Sequence, residues 1–213
     1  MTKFIAPDIT DKRISYASQE LQKMGYRLVN KESNADFALL GINPDKSLIP
    51  RHIPVIEYKD DEGFAIANAY LTAEAAIALA CGESELSLVN SSVLIVGYGR
   101  IGKALHKYLS VFTNNITVCA RKPEVRLLAQ SNCARAIDFD QLKEKNDFDF
   151  VFNTVVHPVI NAAELSALKP SVLIIELASF PGGVDTHLAA AKGIKLVIAR
   201  GLPGKYSPKS AGV

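Results

Sequence analysis

Leu94-Ile95-Val96-Gly97-Tyr98-Gly99-Arg100-Ile101-Gly102 is the stretch that decides the fold. The apolar run Ser92–Val96 reads as a buried strand, and Lys103–Phe112 reads as a helix. Between them lies G-x-G-x-x-G. Outside a strand–turn–helix setting that pattern is as readily a plain tight turn; inside one it is a dinucleotide-binding fingerprint. Gly97 permits the turn, Gly99 leaves room for a pyrophosphate against the backbone, and Gly102 lets the helix pack close to the strand. The helix N-terminus adds N–H donors and the positive end of a dipole. The stretch therefore predicts a phosphate site built by Gly97, Tyr98, Gly99, Arg100, Ile101 and Gly102.

The next strand, Ile116–Ala120, bears on which dinucleotide is bound. A site for NAD usually ends this strand in Asp or Glu, which holds the ribose 2′-OH. Here Ala120 is followed by Arg121 and Lys122. No carboxylate repels a 2′-phosphate, and the planar guanidinium of Arg121 suits one. The expectation is NADP(H), with NAD as the alternative. Two solvated charges after a strand are the plain reading of the same residues.

Composition narrows the class. A chain of 213 residues holds one or two domains. A net charge of +2, with the basic residues scattered, gives no reason to expect nucleic acid or a membrane surface as partner. Met1–Ile5 has only a brief apolar run before Pro7, which is not a signal peptide pattern, and the expected location is the cytoplasm. Cys81, Cys119 and Cys133 are widely spaced and read as buried free thiols; they and the four scattered histidines suggest no metal site.

Along the chain, strands and helices alternate. Helices are expected at Glu124–Gln130, Phe139–Lys145, Ala162–Leu168 and Val184–Lys192. Strands are expected at Ala134–Ile137, Phe148–Asn153, Val172–Leu177 and Ile194–Ala199. Continuous apolar strands joined by helices imply a parallel sheet covered on both faces, with strand order 3-2-1-4-5-6. The first part reads as a smaller α/β unit: strands at Phe4–Ala6, Ala35–Ile42 and Pro54–Tyr58, and helices at Lys12–Met24 and Thr72–Cys81, the latter stopped by Gly82. The fold class is thus α/β, a Rossmann doubly wound parallel sheet preceded by a smaller α/β domain. Residues 1–88 are expected to form the small domain and 89–213 the dinucleotide-binding one, with a cleft between them.

Loops after the strands of such a sheet face the ligand. Asn153, Thr154 and Val155 follow the fourth strand and are expected at the cofactor. His157, in the same loop, could carry a proton, or simply end the loop before Pro158. Ser179 precedes Phe180-Pro181-Gly182-Gly183, which could wrap a ligand or merely turn into a helix. Lys205 and Lys209 lie in a Gly/Pro-rich segment read as irregular, and could bind an anionic substrate or stay solvated. Thr72 reads as a helix cap rather than a catalytic group.

Together these segments resemble the dipicolinate synthase A family of bacterial sporulation enzymes. The pieces that carry the resemblance are Val96–Gly102, Ala120-Arg121, Asn153-Thr154-Val155, Glu176–Asp185 and Gly201–Gly212. It implies oxidation of a dihydrodipicolinate-like cyclic dicarboxylate, by hydride transfer to the nicotinamide of NADP. It also implies a flavoprotein-like partner chain, and a homo-oligomer is expected. The family's first domain is longer, and its chain continues past the Pro-Lys-Ser-Ala-Gly segment. It commonly has Arg where this chain has Phe180, and Pro-Thr-x-Glu-Gly where this chain has Leu71-Thr72-Ala73-Glu74-Ala75. The D-2-hydroxyacid dehydrogenases are broader neighbours, but the Arg and His their chemistry needs lack counterparts here. Two other readings stay open: a nucleotide-binding regulatory protein without turnover, and a dehydrogenase of another small organic acid.

Overall fold

Parallel pairing runs through both sheets of the protein. The computed structural model describes residues 1–7, 11–29, 35–41, 49, 51–57, 61–144 and 146–213. The first sheet comprises β1 (Lys3–Ile5), β2 (Arg27–Leu28), β3 (Phe37–Leu40) and β4 (Val55–Glu57), in the order β2-β1-β3-β4. Alternate side chains of these strands feed two small cores. Phe4 and Leu39 pack with Ile14 of helix α1 (Lys12–Lys23), and Ile5, Ala38 and Leu40 pack with Ile49 and Ile53. The Phe4 ring stacks on Phe37 at 5.7 Å, and Tyr26 meets Phe37 edge-on at 5.9 Å. The strand β2 has no counterpart in the sequence reading; two residues carry too little pattern to be seen. Ile42, Tyr58 and Lys145, each at the end of an expected element, lie outside the described residues.

Helix α1 starts where its cap says it should. The Asp11 carboxylate accepts from the Arg13 backbone N–H at 2.9 Å and pairs in a fork with the Arg13 side chain, at 3.0 Å to Nε and 2.6 Å to Nη2. It ends at Gly25, whose φ of +92° is the left-handed conformation that stops helices.

Helix α2 (Glu62–Glu83) is the largest departure from the expected elements. It begins ten residues before the expected Thr72, so Thr72 is a buried mid-helix residue and not a cap. It also runs through Gly82. By length and composition α2 could cross a membrane, but Ala69, Ala73, Ala76 and Ala80 form a buried stripe along it, the pattern of a core helix.

The second sheet comprises β5 (Val93–Val96), β6 (Ile116–Cys119), β7 (Arg135–Ile137), β8 (Phe150–Asn153), β9 (Leu173–Glu176) and β10 (Lys195–Ile198), in the order β10-β9-β8-β5-β6-β7. That is the expected doubly wound order 3-2-1-4-5-6, all parallel. Every residue of β5, β6, β8 and β9 is buried, as both faces of a central parallel strand must be. The edge strands β7 and β10 expose Arg135 and Lys195, which discourages pairing with another chain. Helices α3 (Arg100–Leu109), α4 (Pro123–Ser131), α5 (Ala162–Ala167) and α6 (Thr186–Ala191) link these strands. Of the helix expected over Phe139–Lys145, the described residues form a short 3-10 turn, Gln141–Lys143. The Asp138 carboxylate accepts the N–H groups of Asp140 and Gln141 and caps the start of this turn.

The chain divides into two compact units: Met1–Leu71 with Leu202–Val213, and Thr72–Gly201. The division thus falls after Leu71 rather than near Val89, and the last residues return to the first unit. Leu202–Tyr206 forms a helix, α7, in a segment expected to be irregular. The tail lies against α1, where a Cβ on Gly212 would stand 2.3 Å from the Arg13 carbonyl oxygen.

The Asp11 cap carries a pH signature. The Arg13 side-chain hydrogen bond holds the Asp11 carboxyl below its ordinary value, against the opposing effect of burial. A folded pKa below the unfolded one contributes stability above the unfolded value of about 4, lost as pH falls through the folded one. Asp11→Ala is expected to cost about 1 kcal/mol at neutral pH. Denaturant titrations of both proteins should show that difference shrinking below about pH 4.

Candidate functional site

The fingerprint loop folds around one backbone contact. β5 ends at Val96, Gly97 turns with φ of +92°, and α3 begins after Gly99. A Cβ on Gly102 would stand 2.2 Å from the Gly97 carbonyl oxygen, so only glycine lets α3 lie this close to the strand end. A Cβ on Gly97 would stand 2.5 Å from Thr154 Oγ1. Thr154 is itself fixed, since its backbone N–H and its hydroxyl both donate to the Val96 carbonyl at 2.9 Å. Gly99 differs: among the described residues, no atom beyond its own chain neighbours lies within 4 Å of the position its Cβ would take. Gly99 is also the N-cap of α3 and supplies no side-chain oxygen to the helix. Open space above an uncapped helix start, with its N–H groups and dipole, fits a pyrophosphate.

Tyr98 faces the other way. Its ring is buried and its hydroxyl lies 2.7 Å from Nδ1 of the buried His106. Burial raises the Tyr98 pKa and lowers that of His106, so the pair is neutral at physiological pH. Only the backbone of Tyr98 remains for a ligand. Arg100 is exposed and Ile101 partly so.

At the end of β6, Arg121 and Lys122 are both exposed. A third cation, which the sequence reading does not single out, joins them. Arg126 of α4 donates through Nη1 to the carbonyls of Ala120 and Arg121, at 2.9 and 2.7 Å. Its signal is its place in the first turn of the helix that follows the strand. Lys122 lies 3.9 Å from Glu124, a loose surface pair. Cys119, behind this edge, is buried and its thiol is pushed up to about 12, chiefly by burial, which makes it inert. Cys81 and Cys133, by contrast, are exposed rather than buried.

The ends of β8 and β9 are tied by a buried carboxylate. Glu176 is 1% exposed and accepts from Asn153 Nδ2 at 2.8 and 3.0 Å, and from the N–H groups of Ala178, Gly183 and Val184 at 2.9, 2.9 and 3.0 Å. A buried charge satisfied this fully is tolerated, and it fixes the Pro181-Gly182-Gly183 loop. Asn153, wholly buried, belongs to this network; Thr154 and Val155 are partly exposed beside it. The signal for Glu176 is a lone acid in the apolar run Val172–Leu177. Ser179 and His157 are exposed on the two loops that the network joins. Lys205 and Lys209 are exposed in the first unit.

Residues 72–187 match the D-isomer specific 2-hydroxyacid dehydrogenase, NAD binding domain, and the chain belongs to that family. The matched stretch opens at Thr72, where the second compact unit also begins. A curated relative is dipicolinate synthase A of Bacillus subtilis (strain 168), 34% identical over 161 residues, or 74% of this chain. The chain spans about half the length of that relative, the aligned part being 54% of it. Among solved structures, dipicolinate synthase A from Bacillus halodurans superposes with a TM-score of 0.82 at 19% identity, covering 99% of this chain and 94% of that one. Its Bacillus subtilis counterpart gives 0.83 at 21% identity, covering 99% and 92%. A transhydrogenase from Sinorhizobium meliloti gives 0.69 at 15% identity, covering 92% and 76%. These three establish likeness of fold.

The glycine geometry separates structure from binding. Gly99→Val is expected to leave the melting temperature within a few degrees and to abolish NADPH binding in titration calorimetry. Gly102→Ala forces a Cβ onto backbone and should lower stability by about 1–3 kcal/mol or more, the scale of overpacking. Equal NADPH affinity in Gly99→Val and wild type would contradict this assignment.

Proposed function

We propose that the protein is an NADP(H)-dependent oxidoreductase of the dipicolinate synthase A type, acting on a dihydrodipicolinate-like cyclic dicarboxylate. The observation that carries this reading is the open, uncapped start of α3 at Gly99, combined with a β6 end whose terminal residues Ala120, Arg121 and Lys122 include no acid; the first acid beyond it, Glu124, is only loosely paired with Lys122. The residues that would hold the cofactor are the backbone from Gly97 to Gly102, then Arg121 and Lys122 at the 2′-phosphate, and the loop Asn153-Thr154-Val155. When bound, the nicotinamide supplies the carbon that exchanges a hydride with the substrate. Arg121 gives a planar fork to the 2′-phosphate, while Arg126 braces the carbonyls beneath it. Glu176 and Asn153 hold the loops of Ser179 and His157, exposed groups able to exchange protons or hydrogen bonds with a substrate. Lys205 and Lys209 are proposed as its charge partners.

The curated relative is named as one component of a synthase, which supports a second chain in the working enzyme. A flavoprotein-like chain is our proposal for that partner. A cytoplasmic location and a homo-oligomer accompany this reading. A nucleotide-binding protein without turnover is the second reading. It is favoured by Phe180, where the family resemblance implies an Arg and this chain offers no charge. Nicotinamide absorbance followed with dihydrodipicolinate, with and without a partner chain, separates the two. Cofactor reduction supports the first, and tight NADPH binding with no reduction under either condition supports the second.

Two expectations follow from the assigned charges. Arg121→Ala should weaken NADPH by roughly 1.5–3 kcal/mol, the scale of a charged hydrogen bond, and leave NADH nearly untouched. An equal loss for both cofactors in calorimetry would show that Arg121 does not read the 2′-phosphate. Lys205→Ala or Lys209→Ala should raise the apparent substrate constant at least tenfold, about 1.4 kcal/mol, with NADPH affinity little changed. Steady-state kinetics on each variant checks this, and an unchanged constant in both removes these lysines from the substrate site.

A further inference from the structure

Arg200 follows β10, and its side chain reaches back to the loop that follows β9. Nε donates to the Ala178 carbonyl at 3.0 Å and Nη2 to the Pro181 carbonyl at 2.9 Å. The guanidinium carbon lies 5.7 Å from the centroid of the Phe180 ring. That ring is 82% exposed, an unusual state for a large aromatic residue held on an ordered loop. Gly182 gives the guanidinium its passage, since a Cβ there would stand 2.9 Å from Nη2.

The charge of Arg200 has no acidic partner among the described residues. Glu176, the carboxylate of this loop, is already saturated by Asn153 and three backbone N–H groups. Guanidinium carries five N–H donors, and the two carbonyls account for one on each of two nitrogens. The others, Nη1 among them, have no partner within the described residues. The result is a cation fixed in orientation by two carbonyls and lying over one face of an otherwise exposed aromatic ring. It sits at the carboxyl ends of β9 and β10, the edge where doubly wound sheets bind ligands. A carboxylate accepts two parallel N–H bonds from such a fork, and a flat ring stacks on an aromatic face.

We propose that Arg200 and Phe180 form a subsite for a carboxylate borne on a planar ring, with Arg200 taking the carboxylate and Phe180 the ring. The proposal rests on the reading of a cyclic dicarboxylate as substrate and names the groups that recognise it.

The probe is pyridine-2,6-dicarboxylate, with the neutral pyridine-2,6-dicarboxamide as control, titrated calorimetrically into the full chain with and without NADPH. Wild type is expected to bind the dicarboxylate and not the diamide. Arg200→Gln should weaken it at least tenfold, Arg200→Lys by less, and Phe180→Ala several-fold, with NADPH affinity unchanged in all three. If Arg200→Gln melts early because the loop loses its brace, the exposed Phe180→Ala and the charge-keeping Arg200→Lys decide, and both must weaken the dicarboxylate. Dicarboxylate binding that is equal in wild type and the Arg200 variants overturns the subsite and leaves the proposed function standing. A wild type that binds NADPH but no dicarboxylate overturns both.

Discussion

The approach of α3 to the end of β5, with Gly102 against the Gly97 carbonyl, is the constraint on which the site depends. No other residue at 102 permits that distance. Because the helix is held there, its first turn faces the space above Gly99 rather than the body of the sheet. The Gly97 turn is in turn locked by Thr154, whose two hydrogen bonds to Val96 join the ends of β5 and β8. A substitution at Gly102 is thus expected to disturb the fold along with the proposed binding, whereas one at Gly99 is expected to disturb the proposed binding alone.

A second tie, Glu176, does for β8 and β9 what the glycine contact does for β5. Five hydrogen-bond contacts to one buried carboxylate knit Asn153, the Pro-Gly-Gly loop and the entry to α6. Apolar strand sequences cannot hold a polar loop in one conformation by themselves; a satisfied charge can. The loop so fixed carries Ser179 and Phe180 outward, and Arg200 closes on it from the next strand. Together these ties organise the carboxyl edge of the larger sheet from β5 across to β10.

The larger sheet is readable in the sequence because its inner strands are buried on both faces. Val93–Val96, Phe150–Asn153 and Leu173–Glu176 are continuous apolar runs or nearly so, and the glycine spacing places the first of them. Helix α2 reads too short because its Ala-rich sequence is apolar on every side and gives little contrast between faces. Helix α7 reads as irregular because Pro203 and Gly204 look like breakers. Pro is tolerated in a helix's first turn, and Gly204 lies against Arg13, where a side chain would crowd it. The return of 202–213 to the first unit, and the reach of Arg200 to Phe180, join residues from separate strands and loops. No local pattern encodes such contacts. Arg126 is legible only once its place in the helix after β6 is known.

The proposed site holds the pyrophosphate of NADPH on the first turn of α3, with the 2′-phosphate at the β6 end. A crystal structure of the full chain grown with NADPH tests it most directly. Pyrophosphate oxygens are expected within hydrogen-bond distance of the backbone N–H groups that follow Gly99, and the 2′-phosphate against Arg121 or Lys122. A dinucleotide bound elsewhere on the chain, or one whose ribose turns away from Arg121 and Lys122, would contradict it.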